Sequence, residues 1–226
     1  MRNSWRPIAA LLALCAAAMP LFAVAQTGPA WPDTFLARVE TLALIETLNA
    51  DLLAGRLATL TLDKWCADHK LASETKIRAR LIRGVDKPAS QEQRVRLQID
   101  QSEPVKFRHV ELACGDRVLS EADNWYVPSR LSAEMNRLLE TTDTPFGRVV
   151  ADLKPFRQNF AAVVLWKPLP DGWELQPPPG DHPGELLSVP HALLEHRALV
   201  LTPELKPISE VDEVYTRENL AFTPPN

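Results

Sequence analysis

Glycine is scarce in this chain, with eight copies in 226 residues. No Gly-rich phosphate loop, G-x-S-x-G elbow, H-E-x-x-H helix or calcium-loop pattern occurs. Backbone cradling of nucleotide phosphates, an α/β-hydrolase nucleophile and a zincin centre are therefore set aside. A basic balance is also missing. The 25 Lys and Arg stand against 29 Asp and Glu, a net charge of −4, so the electrostatic footprint of a nucleic-acid binder is absent. Beyond residue 26 no apolar run approaches the 18 or more residues of a membrane helix, and no stable span is expected after that point. The five histidines, His69, His109, His182, His191 and His196, show no metal-ligand spacing. The nearest pair, His191 and His196, is five apart and off one helical face. No metal and no cofactor are expected.

What is present begins with an address. Arg2 and Arg6 precede an apolar stretch over residues 8–18, Pro20 follows, and Ala23-Val24-Ala25 forms a small-x-small triplet. This is the pattern of a secretory signal over residues 1–26, cut before Gln26, and it predicts a periplasmic or secreted protein. Loss of Arg2 and Arg6, with no acid beside them, takes the net charge from −4 to −6. Cys15 leaves with the signal. Cys66 and Cys114 remain, and in an oxidising compartment they suggest one disulfide, with two separate buried thiols as the alternative. Residues 27–226 suit a single domain with one substantial core. No feature calls for a second copy, and a monomer is expected.

From Thr34, apolar residues at Phe35, Leu36, Val39, Leu42, Ala43, Ile45, Leu48 and Leu52 follow a helical period that ends at Gly55. Residues 59–62 are ambiguous. Residues 76–84 alternate around Ile77, Ala79 and Leu81, and residues 94–100 around Val95, Leu97 and Ile99; both predict strands. The next strand, 105–114, changes phase between Phe107 and Val110, which predicts a β-bulge at Arg108 and His109. Gly115-Asp116 turns the chain into a strand that ends at Pro128. Ser132 caps a helix carrying Met135, Leu138 and Leu139, and Thr144 caps a second with Pro145 at its first position. A strand over 159–166 leads into a loop over 167–184 that holds six of the 20 prolines. Residues 198–202 and 207–216 close the chain as a hairpin. This order predicts an α+β domain, an antiparallel sheet of about six strands with helices on one face.

Four segments could carry chemistry. Arg108 lies on an apolar-patterned strand, either as a buried fork for a carboxylate or as a solvent-facing partner of Glu111. Glu213 faces inward if Val211 and Tyr215 mark the core, and outward if Val214 does. Residues 144–148, Thr-Pro-Phe-Gly-Arg, begin a helix. Residues 120–128, with Asn124 among them, form a strand dense in polar and aromatic groups.

Taken in order, these segments resemble the chorismate pyruvate-lyase family. The carrying pieces are Arg108 in a strand, a polar strand ending at Val127-Pro128, the Thr144–Arg148 helix start, and Lys206-Pro207 leading to Asp212-Glu213-Val214-Tyr215. The resemblance spans roughly residues 36–220. It implies a six-stranded antiparallel sheet with helices on one side, a fold shared with effector-binding domains of some bacterial transcription regulators. It also implies that Glu213 and Arg108 are the catalytic residues, with Arg108 also holding a ligand carboxylate, and that Phe146, Gly147 and Asn124 line the substrate pocket. No metal or cofactor enters the implied reaction, the release of pyruvate from chorismate or a related aromatic-acid precursor. Several features depart from the family: the export signal, Leu48 or Asn49 in place of a ligand-contacting Met, and the Pro-rich loop. They leave a second reading open, a non-catalytic periplasmic protein that binds a small aromatic or cyclic carboxylate in the same pocket.

Overall fold

A computed structural model describes residues 30–222. The signal expected over residues 1–26 lies outside the described residues. Helix α1 (Phe35–Ala54) runs from a Thr34 cap to Gly55, as its period predicts, and buries Thr41, Ile45, Leu48 and Leu52. The ambiguous stretch after it is a full helix, α2 (Ala58–Asp68), which turns Leu62, Trp65 and Cys66 inward. Its face is set by only three large apolar side chains, too few for the period to stand out.

Six strands follow: β1 (Arg78–Ile82), β2 (Lys106–Cys114), β3 (Arg117–Tyr126), β4 (Phe156–Val164), β5 (Ala192–Leu201) and β6 (Pro207–Thr216). They form one antiparallel sheet in the order β1-β2-β3-β6-β5-β4. The fold is α+β, a six-stranded antiparallel sheet with helices packed on it. α1, α2, α4 (Ala133–Thr141) and the short α5 (Phe146–Val149) build the two cores on one face. One cluster gathers α1 and α2 over Leu112, Leu119, Leu194 and Tyr215. The other gathers α4 and α5 over Tyr126, Val200, Ile208 and Val211. No helix of the described residues is long and apolar enough to cross a membrane.

Three local expectations need correction. Residues 94–100 are not a strand; Gln91–Arg96 form helix α3. Ser90 and Gln93 build a reciprocal capping box, Glu92 sits in the first turn, and Arg94 and Arg96 sit in the last. Those signals outweigh an alternation of only three apolar residues. The bulge expected at Arg108 and His109 falls instead between Leu112 and Ala113. The phase change has another cause: both faces of β2 are covered there. Phe107 packs on Trp125 across the strands, with ring centroids 5.4 Å apart, on the face opposite Arg108. The Trp125 indole N–H donates to the Lys87 carbonyl at 2.7 Å, and Arg96 grips Glu210 at 2.7 and 2.9 Å, so the segment before β2 crosses that outer face. Finally, Thr144 does not cap α5. Pro145 occupies the N-cap, and the Thr144 hydroxyl instead accepts from Thr142 at 3.0 Å.

Cys66 and Cys114 are bonded, which ties α2 to the end of β2. The Pro-rich loop is pinned to the start of α1. Phe35 N–H donates to Asp181 at 2.6 Å, and Asp33 holds both Arg38 and His182 at 2.6 Å. Glu185 stands beside Asp33 and His182. With Asp33 already taken up by a guanidinium, the group serves as a clasp for the loop.

Candidate functional site

Register places the site. On the helix-covered face, Arg108, Asn124, Val211 and Ala198 stand side by side across four strands. The next row is Val110, Ala122, Glu213 and His196, and the row after that is Leu112, Ser120, Tyr215 and Leu194. A cavity of about 40 Å³ lies over these rows, at the seam between the two apolar clusters. Leu57 to Thr59 of the α2 entry and Phe146–Gly147 of α5 roof it, while Asn124, Arg157 and Glu213 supply its polar wall. The space holds a few waters, not a ring. A larger hollow outside shares the Leu57 wall and is bordered by Arg56 and Lys154.

The roof is close-packed. A Cβ on Gly147 would come within 3.2 Å of the Thr59 hydroxyl and 3.4 Å of Leu57. Arg148 fixes the roof from behind, donating to both Asp63 carboxylate oxygens at 2.6 and 2.7 Å, and so joins α5 to α2.

Of the residues expected to form a site, Glu213, Asn124, Phe146 and Gly147 line this one cavity. Arg108 stands one strand beyond Asn124 and is not part of the lining itself. It is 4% exposed. Its Nε and Nη2 have no hydrogen-bond partner, and among the described residues no carboxylate pairs with it. Burial pushes the guanidinium pKa down, with the nearby Tyr126 pulling weakly the other way. Arginine keeps its charge at any ordinary pH, so this is a buried cation without a counter-ion.

Glu213 faces inward, on the side that Val211 and Tyr215 mark. It is not free. Arg157 Nη1 donates to its Oε2, and the Tyr215 hydroxyl donates to the same oxygen at 2.9 Å. Arg157 is as buried as the acid; burial works against its charge, but Glu213 and Tyr215 outweigh that and hold the guanidinium pKa up. Its Nη2 is left without a partner. Burial, reinforced by Glu213, holds the Tyr215 phenol well above its usual range, so it remains a donor.

His196 lies directly across from Glu213. Its Nε2–H donates to Asn49 Oδ1 at 2.8 Å, which leaves Nδ1 as a lone-pair acceptor with no partner. Burial and the Arg157 charge push its pKa down to about 4, so the ring is neutral. The Asn124 side-chain oxygen accepts from Ser209 at 2.6 Å.

Sequence reasoning missed two of these groups. Arg157 sits before the expected strand start at residue 159, whereas β4 begins at Phe156. The alternation of Phe156, Gln158 and Phe160 already carries the strand that far back. His196 falls before the expected hairpin arm at residue 198, whereas β5 begins at Ala192.

Comparison with known proteins gives a relative. Over 197 residues, 86% of this chain and 83% of the other, the sequence is 51% identical to the uncharacterized protein y4mC of Sinorhizobium fredii. The chain belongs to the y4mC family. No protein-family model matches it. Among solved structures it is similar to a "possible transcriptional regulator YydK" of Bacillus subtilis, at 15% identity and a TM-score of 0.41, over 69% of this chain and 66% of that one. It is also similar to the effector domain of PhnF from Mycobacterium smegmatis, at 13% identity and a TM-score of 0.42, over 67% and 87% of the two chains. The chain spans just under two thirds of YydK.

Proposed function

We propose that this protein is an exported binder of a small organic carboxylate, with the ligand's anionic group on Arg108 and its apolar body in the cavity under α2 and α5. The observation that carries the reading is the buried, unpaired Arg108 guanidinium. An uncompensated buried charge is strongly unfavourable, and a carboxylate offered as a two-pronged acceptor relieves it. The walls suit a cyclic apolar body: Val110, Leu112, Ala122, Val200 and Val211 surround the polar groups. At its present size the cavity admits such a body only when the α2 entry and α5 part, with Leu57 moving from the wall shared with the outer hollow. The signal pattern over residues 1–26 and the Cys66–Cys114 bond agree with a place outside the cytoplasm.

Thermal-shift measurement with benzoate and related cyclic carboxylates tests the proposal, because a ligand of the folded state raises its melting temperature by mass action. The expected result is a concentration-dependent rise that Arg108→Gln abolishes. Equal responses from the wild type and Arg108→Gln defeat the reading.

A second reading is supported by the inward-facing Glu213: turnover of chorismate to 4-hydroxybenzoate and pyruvate, with Glu213 assisting proton transfer. The Arg157 and Tyr215 donors weigh against it, since a carboxylate saturated by two donors on one oxygen is a poor proton donor. Release of 4-hydroxybenzoate that disappears in Glu213→Gln would establish turnover.

A further inference from the structure

Resting on the carboxylate reading of the site, we infer that the pocket selects a monoanion carrying one uncharged acceptor, and rejects a dianion of the same shape. The charge count decides this. Two guanidiniums are buried here, Arg157 in the cavity wall and Arg108 one strand beyond Asn124. Two free cations would accept two anionic groups. Yet Arg157 is already neutralised by Glu213 of its own chain, and His196 opposite is a neutral ring. The net charge left for a ligand is one positive, at Arg108.

The remaining polar capacity is neutral in kind. Arg157 Nη2 is a buried donor without an acceptor. It can be satisfied by a carbonyl or hydroxyl oxygen on the ligand without disturbing the pair with Glu213. A second carboxylate could reach Arg157 only by competing with Glu213, leaving one of the two acids buried without its cation. Apart from the neutral Asn124 and Thr59 and the acid Glu213, the rest of the cavity lining besides Arg157 is apolar, so it carries no further cation to compensate a second negative charge.

The test uses the whole mature protein and two probes of nearly equal size. 4-Carbamoylbenzoate carries one carboxylate and a neutral amide; terephthalate carries two carboxylates. By calorimetry at neutral pH, the wild type is expected to bind 4-carbamoylbenzoate at least about tenfold more tightly than terephthalate. Glu213→Gln keeps the shape of the side chain and releases the Arg157 charge, so its preference is expected to narrow to parity or reverse. Should that variant not fold, the wild-type comparison decides alone. Terephthalate binding as tightly as the monoanion to the wild type, with Arg108→Gln abolishing both, overturns the inference and leaves the carboxylate reading standing. Failure of both probes and of benzoate to bind overturns the two together.

Discussion

At the scale of single residues, Arg108 and His196 each carry a cost that a stability measurement on the ligand-free protein can read. Arg108 forgoes hydrogen bonds at two buried nitrogens, each a cost of roughly 1–3 kcal/mol. Arg108→Met fills similar space without the charge. The ligand-free variant is expected to be more stable than the wild type by about 1–3 kcal/mol, read from urea midpoints, while losing its response to carboxylates. A lower midpoint would mean that Arg108 is satisfied after all. His196 provides a pH test. Unfolded, its imidazole takes up a proton near the ordinary histidine value of 6.5; folded, burial and Arg157 keep it neutral down to about 4. Between those values the unfolded state binds more protons, so His196 contributes stability above pH 6.5 that is lost as pH falls toward 4. The full loss is on the order of 3 kcal/mol. Urea midpoints taken from pH 7 to pH 4 are expected to fall less steeply in His196→Gln, which keeps a donor for Asn49.

These residues also mark how far periodicity reads into a site. The alternation of Val211, Glu213 and Tyr215 ties Glu213 to its neighbours two positions away but leaves open whether that face or the face of Val214 is the core; pairing with β3 and β5 under the helices turns it inward. The alternation is silent about Arg157, 56 positions away, whose approach depends on the pairing of β4 with β5 and β5 with β6. Arg108 was legible as a choice between a buried fork and a partner of Glu111. Glu111 points to the opposite face, so the choice is settled by strand register.

At the scale of elements, the roof of the cavity is the part most open to test. α2 is held at one end by the Cys66–Cys114 bond and at the other by contacts with α5. The bond closes a loop across a sequence separation of 48 residues, for which loop entropy gives about 4 kcal/mol. Replacing both cysteines by alanine is expected to lower stability by about that amount in chemical denaturation. Gly147→Val puts branched carbon against Thr59 and Leu57, where a Cβ already makes a tight contact. The variant is expected to fold with its carboxylate response reduced or lost, since the added atoms occupy the roof; an unchanged response would place the ligand elsewhere.

Elements with strong local signals were legible, and those with weak or borrowed signals were not. α1 carries a side-chain cap, a long apolar stripe and a terminating glycine, and its bounds follow from them. The Gly115-Asp116 turn and the Ser132 cap behave likewise. Residues 94–100 show the opposite case. Val95 is 66% exposed and Leu97 is fully buried, and the short helix that contains Val95 and ends at Leu97 owes its existence to a capping box. Alternation across so few residues cannot distinguish strand from helix.

At the scale of the whole molecule, one chain-level prediction follows from the signal pattern and the disulfide together. Expressed from its full reading frame in a bacterial host, the protein is expected in the periplasm or medium, beginning at Gln26. Intact-mass analysis without reductant is expected to show it two hydrogens lighter than the reduced chain, from one bond between Cys66 and Cys114. A cytoplasmic product that retains residues 1–25 would refute the export reading.

The chain alone was enough for the α+β class, the antiparallel sheet and the two cysteines available for bonding; it left Glu213 with two possible faces, and the pocket roles of Asn124, Phe146 and Gly147 came only from the family resemblance. The class, the sheet and the cysteines follow from local period, turn chemistry and composition. Only the tertiary structure decided that Arg108 is buried without a partner, that Glu213 is already held by Arg157, and that His196 completes the row. The physical reason is that a face is a property of one strand, whereas a counter-charge belongs to the packing of several. Which charge remains free for a ligand is known only after every pairing across the sheet has been made.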